Sequence, residues 1–246
     1  MPRKKVSSLK PFYKRVLIKI SGEILAGSQS FGIQSEILEQ VADELKQLVD
    51  LGVQVALVVG GGNIFRGIEA NQKRMERVSS DHMGMLATCI NALALQNILE
   101  QKGVITRVLS AIEISDMAEP YIYRRAIRHL EKKRLLIFSG GTGNPYFSTD
   151  TAAALRAMEI SADILLKATK VEGVFDKDPR QNKNIKKFKQ ISYTNVLKKN
   201  LKIMDGAAIS LCRDNKMPLI IFNLRKKENL LRVICGEKIG SLVQDR

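Results

Sequence analysis

Two hydrophobic patterns alternate along this chain. Residues 15–20 and 53–59 are short apolar, β-branched runs, and each runs out into glycine, at Ser21-Gly22 and at Gly60-Gly61-Gly62-Asn63. Between them Ile37, Leu38, Val41, Leu45, Leu48 and Val49 recur at helical spacing, which predicts an amphipathic helix ended by Gly52. The alternation continues with a helix over 81–101, a strand over 104–109, a helix over 120–131 and a strand over 134–138. A glycine-rich loop over 140–149 leads to a helix over 151–159, with Thr149 or Asp150 as its cap, and to a strand over 163–167. Residues 169–200 are polar and weakly periodic until 192–199; a helix over 205–216, a strand over 219–222, a helix over 227–234 and a strand over 241–243 complete the pattern. Strand alternating with helix predicts an α/β fold, its mainly parallel sheet covered on both faces. Residues 1–12 read as a loose basic tail and 13–246 as one domain.

Composition narrows the class. Of 246 residues, 45% are hydrophobic and 26% charged, which suits a packed core and excludes overall disorder. No apolar run approaches the roughly 18 residues that span a bilayer. The basic N-terminus lacks the apolar stretch of a secretory signal, so the expected compartment is the cytoplasm. Cys89, Cys212 and Cys235 are far apart, and His82 and His129 have no metal-ligand spacing, so neither a disulfide framework nor a zinc site is expected.

The charge is uneven. Residues 1–19 carry 7 basic and no acidic side chains, and residues 167–202 carry 11 basic and 3 acidic ones, which accounts for the whole net charge of +15. Solvated lysines kept for solubility are one reading of this excess; an internal segment bordering a polyanionic small molecule is the other. Aromatic residues are only 5%, so no base-stacking platform for nucleic acid is evident.

Three glycine-rich turns follow expected strands, at Ser21-Gly22, Gly60–Asn63 and Gly140–Pro145. Such turns are ordinary connectors taken singly. Several on one edge of a parallel sheet bring backbone N–H groups close to an anion. No glycine is followed by lysine, so the GxxxxGK[ST] phosphate grip is absent. Lys19 and Lys167 end apolar strands in the same way; outward-facing surface lysines are one reading, and a pair bracketing a transferring phosphoryl group is the other. Arg66 suits a fork onto phosphate oxygens or a helix surface. Asp81, Asp150 and Asp205 sit near helix starts, where each could serve as a cap.

The segments VLIKISGE, GGGNIFRG, DHMGMLAT, GTGNPYFSTD, LKATKVEGVFDKDP and MDGAA, in order from about Tyr13 to Val243, closely resemble the bacterial uridylate kinases, a branch of the amino acid kinase family. The resemblance implies a three-layer αβα sandwich, transfer of the ATP γ-phosphate to UMP with Mg²⁺ giving UDP and ADP, and a homohexamer regulated by GTP and UTP. It implies that Lys19, Ile20, Ser21, Gly22, Gly62 and Arg66 contact ATP phosphates and that Thr169, Phe175 and Asp178 border the adenosine. Gly61, Asp81, Thr142, Gly143, Asn144 and Pro145 would hold UMP, together with Tyr146, Phe147, Ser148 and Thr149. Asp150 and Asp205 would organise the cationic groups, Lys167 among them. Gly27, Ser28, Gln29, Ser30, Phe31 and Gly32 match a loop implicated in regulation. Gln96 and Glu100 stand where several relatives carry basic residues. A family member phosphorylating a carboxylate or carbamate, and a nucleic-acid-binding regulator driven by charge, are the rival readings.

Overall fold

The computed structural model describes residues 10–65, 75–177 and 185–245. Its first part comprises β1 (Arg15–Ile20), α1 (Gly22–Leu25), α2 (Ser35–Asp50), β2 (Gln54–Val59), α3 (Arg77–Gln101), β3 (Thr106–Ser110), β4 (Glu119–Pro120), α4 (Tyr123–Glu131) and β5 (Leu135–Ser139). Then come α5 (Thr149–Glu159), β6 (Ile164–Thr169), β7 (Val174–Phe175), β8 (Lys187–Phe188), β9 (Gln190–Ile191), α6 (Tyr193–Lys198), α7 (Gly206–Asp214), β10 (Leu219–Asn223), α8 (Asn229–Ile234) and β11 (Ser241–Val243).

Among the described residues, nine strands form one sheet in the order β4-β3-β5-β2-β1-β6-β10-β11-β9. Every pairing is parallel except β10 with β11. β7 and β8 make a separate antiparallel hairpin.

Strand side chains alternate between the two faces. Val16, Ile18 and Ile20 pack with Leu45 of α2, Leu95 of α3 and Val233 of α8. Leu17 packs on the opposite face with Leu130 of α4, Ala153 of α5, Val196 of α6 and Ala208 of α7, and Leu165 of β6 joins that layer. The result is the expected three-layer αβα sandwich. The same parity decides where the lysines go. Lys19 follows Leu17 by two positions and Lys167 follows Leu165 by two, so both project on the α5 side.

Four sequence expectations change. The helix expected from 81 begins at Arg77, which places Asp81 inside it rather than at its cap. The helix expected from 120 begins at Tyr123, and Pro120 belongs to β4, an edge strand, where a missing N–H is tolerated. Ser148, not Thr149 or Asp150, caps α5, accepting the N–H groups of Asp150 and Thr151. The polar segment after β6 supplies β7, β8 and β9, elements too short for periodicity to reveal, while α6 falls within 192–199, where the periodic pattern returns.

Candidate active site

The turns after β1, β2 and β5 lie at the same edge of the sheet because these strands run parallel. The first two are in tight contact. A Cβ on Gly22 would fall 2.6 Å from the Gly60 carbonyl oxygen and 3.0 Å from the Gly62 nitrogen. Only glycine permits that approach. A Cβ on Gly61 would fall 2.7 Å from the Ala87 side chain and 2.8 Å from the Gly84 carbonyl, so the β2 turn is also seated on α3.

Beside these turns stand the two lysines. Lys19 and Lys167 are register partners across β1 and β6. Asp150, second residue of α5, lies between them: Lys19 Nζ is 2.9 Å from Oδ1 and Lys167 Nζ is 2.6 Å from Oδ2. Lys167 Nζ also donates to the Ile203 carbonyl at 2.5 Å. All three side chains are nearly buried. Burial works to raise the Asp150 carboxyl, yet the two ammonium groups outweigh it and hold it below its ordinary value. Burial, with Lys19 adding to it, pushes Lys167 below the usual lysine value against the pull of Asp150. Two cations share one anion, so the cluster keeps a net positive charge at the glycine turns. A cavity of about 310 Å³, lined in part by Asp150, Lys167, Lys202, Met204 and Gly206, adjoins it.

Asp205 takes the cap position that its place at a helix start suggests. Its carboxylate accepts from Ala208 N–H as the cap of α7, from the Thr151 hydroxyl at 2.9 Å and from the Ser148 hydroxyl. It ties the start of α5 to the start of α7 and reaches Lys167 only as a through-space charge.

A second group surrounds the loop after β5. Asp81 Oδ2 accepts the Tyr146 N–H at 2.7 Å and the Arg77 Nε–H at 2.8 Å, and the Arg77 guanidinium lies 5.5 Å from the centre of the Tyr146 ring. Tyr146 has φ 71°, a left-handed conformation that a non-glycine residue adopts only when held. The Thr88 hydroxyl accepts the Gly140 N–H at 2.8 Å, so α3 grips both ends of the loop. Thr142 and Asn144 bond to each other locally, and Tyr146 and Phe147 are exposed. Gly143 lies against Ala111, with φ 82°.

The remaining candidates are placed as follows. Ile20 and Ser21 lead from β1 into α1, and the Ser21 hydroxyl makes no cap bond. The Thr169 hydroxyl is engaged with the carbonyls of Val171 and Phe222, and Phe175 lies half-buried in the β7–β8 hairpin. Gly27, Ser28, Gln29, Ser30, Phe31 and Gly32 form a turn whose Gly27 carbonyl accepts from Arg225 and whose Gly32 N–H donates to the Asn63 carbonyl. Glu100 pairs with Arg107 at 3.4 Å. Arg66 and Asp178 lie outside the described residues. Sequence reasoning missed Gly84, Ala87, Thr88 and Asn91 as site-builders. They were visible as small and polar residues at helical spacing, yet nothing local says that they face the turns.

The fold and this edge define a class: residues 14–223 match the model of the amino acid kinase family, and the chain belongs to that family. Among solved structures it is similar to the UMP kinase of Bacillus anthracis, with 41% identity over 95% of this chain and 96% of that one, at a TM-score of 0.92. The UMP kinase of Ureaplasma parvum is 37% identical over 94% of this chain and 99% of its own, at a TM-score of 0.89. The uridylate kinase of Archaeoglobus fulgidus, at 24% identity and a TM-score of 0.73, shares the fold.

Proposed function

We propose that this chain is a UMP kinase, moving the γ-phosphate of ATP in line to the phosphate of UMP and releasing UDP and ADP. The observation that carries the reading is the pair of buried lysines on one carboxylate, set beside interlocked glycine turns. That net positive, partly dry corner suits the meeting of two polyanions. The likeness over nearly the whole chain to two bacterial UMP kinases at 37–41% identity supports the choice of acceptor.

A phosphate monoester has a second pKa near ~6, so UMP offers a dianionic oxygen at neutral pH and needs no general base. The barrier is charge. At 4 Å two unit like charges repel by about 4 kcal/mol at an effective dielectric of ~20, and several such pairs meet at once. Lys19, the backbone N–H group at Gly22 and the β2 turn at Gly62 would neutralise the transferring group, while the Gly60 N–H is held by the Ile20 carbonyl; Asp150 would hold Lys19 and Lys167 at fixed spacing. Lys167, already bonded to Asp150 and Ile203, completes the electrostatic frame. Both Asp150 and Asp205 are committed to protein partners, so Mg²⁺ fits this site as a companion of the nucleotide phosphates, where it would offset their charge. In this reading Gly61, Asp81 and the loop from Thr142 to Thr149 hold UMP. The β7–β8 hairpin near Phe175 and the cavity lined by Met204 hold the rest of ATP, together with Arg66 and Asp178.

The wider reading is a cytoplasmic enzyme of pyrimidine nucleotide synthesis, assembled as an allosteric homohexamer, with the loop from Gly27 to Gly32 as a regulatory element. Met83, Leu86 and Ile90, apolar, exposed and aligned on α3, supply a face for subunit contact. Among the described residues no helix is long and apolar enough to cross a membrane.

The test is coupled ADP release with ATP and Mg²⁺, offering UMP, CMP, AMP and GMP, and then N-acetylglutamate, aspartate, glutamate and carbamate. Turnover confined to UMP supports the reading. Turnover with a carboxylate or carbamate instead overturns it in favour of another activity of the family.

A further inference from the structure

Asn91 is fully buried in the middle of α3, beside Ala92 and Leu95, and Asn63 of the β2 turn is 1% exposed. A buried amide is costly unless all its groups are bonded. Here the two side chains satisfy each other: Asn63 Nδ2 donates to Asn91 Oδ1 at 3.0 Å, and Asn91 Nδ2 donates to Asn63 Oδ1 at 2.7 Å. The other amide hydrogens go to backbone, from Asn91 Nδ2 to the Gly60 carbonyl at 2.7 Å and from Asn63 Nδ2 to the Gly32 carbonyl at 2.8 Å. None of these bonds serves α3 itself. A helix interior that needed only packing would carry an apolar side chain there.

The pair sits where the glycine turns meet. A Cβ on Gly22 would clash with Asn63 Oδ1, so the orientation of that amide sets how closely the β1 turn approaches Gly60 and Gly62. Gly32 holds Asn63 from the other side with two bonds, its N–H to the Asn63 carbonyl and its carbonyl to Asn63 Nδ2. We propose that Asn91 is a positioning residue for the phosphate-binding turns, acting through Asn63. This rests on the reading above, in which Gly22 and Gly62 receive ATP phosphates. Asn91 touches neither nucleotide; it fixes the spacing of the backbone groups that do, and a displacement of about 1 Å is enough to lower phosphoryl transfer by ~100-fold.

The experiment compares wild type with Asn91→Leu, Asn63→Ala and the double variant, assayed at a temperature where circular dichroism shows each to be folded. Expected for Asn91→Leu is a fall of about 10- to 100-fold in kcat/KM for ATP, with the KM for UMP within about twofold. The double variant should lose no more than the worse single one, because one residue acts through the other. In parallel, hydrogen exchange measured without nucleotide should quicken over residues 60–65 and stay unchanged over β5. Wild-type constants, equal losses for both substrates, additive losses, or unaltered exchange in a folded variant overturn the proposal. If Asn91→Leu does not fold, Asn91→Ser, smaller and too short to reach Gly60, takes its place under the same criteria. Wild-type protein that transfers nothing to UMP would sink the functional reading instead, and the exchange arm would still judge Asn91.

Discussion

Lys19 and Lys167 stand opposite each other on neighbouring parallel strands, and the two oxygens of Asp150 divide them. One carboxylate cannot neutralise two ammonium groups. The three groups are therefore held together by Asp150 and carry one positive charge in excess, a state that, in the reading proposed above, an incoming phosphate would stabilise further.

Removing Lys19 tests the centre of that arrangement. Lys19→Ala leaves the Asp150–Lys167 pair intact but removes the cation on β1 at the glycine turns. We expect kcat to fall by about 100- to 1,000-fold, with a much smaller change in UMP affinity measured by calorimetry. Unchanged turnover would take Lys19 out of the mechanism.

Asp150→Asn has a signed consequence in pH. Lys167 already lies below the ordinary lysine value, and loss of its anionic neighbour lowers it further. The alkaline limb of kcat/KM should move to lower pH, alongside a fall in rate. A limb displaced upward would contradict the assignment. On the acid side the wild-type carboxyl is held below its usual value, so the stability it contributes is present above the unfolded carboxylate pKa. That contribution fades as pH falls below the unfolded value and is gone once pH has passed the lower folded one. The Tm advantage of wild type over Asp150→Asn should accordingly persist to about pH 4 and shrink below it.

Asp81 fastens the loop after β5 to α3 through the Tyr146 N–H. Asp81→Ala releases a backbone held at φ 71°. The KM for UMP should rise at least about tenfold while the KM for ATP stays within about twofold. A loss confined to ATP would move Asp81 to the other half of the site.

Glu44 of α2 tests stability away from the site. Burial pushes its carboxyl up to about 7, with Glu228 and Lys227 as its nearest charged influences. A raised folded pKa means that the cost of ionisation is absent below the unfolded value of about 4.3 and complete above pH 7. Glu44→Gln should therefore raise the Tm at about pH 8 and leave it nearly unchanged at about pH 4. Thermal melts at the two pH values decide it; a gain at acid pH alone would contradict the assignment.

Leu86→Glu with Ile90→Glu places charges on the exposed apolar face of α3 without touching its buried side. Light scattering should report a smaller particle than wild type. An unaltered mass would remove this face from the assembly.

How far each of these residues could be found in advance differs for a physical reason. Alternation of short apolar runs with helical spacing is a local property, and it specified the αβα class, most strands and the long helices. The glycine turns and the strand-end lysines were equally legible, since Lys19 and Lys167 interrupt apolar runs. The short elements after β6 were not, because two-residue strands carry no period. The Ser148 cap was missed because Ser148, Thr149 and Asp150 are all good caps, and only the hydroxyl geometry separates them. The cap that Asp205 makes with the Ala208 N–H is local and legible, whereas the Thr151 and Ser148 hydroxyls that fill its other positions come from a distant segment. The register of β1 against β6, which puts two lysines on one carboxylate, and the amide pair of Asn63 and Asn91 join residues far apart in the chain. Local sequence set the elements and their chemistry. Which side chains meet was decided by strand order and packing, because long-range contacts follow from the whole fold's burial of its two faces rather than from any one segment.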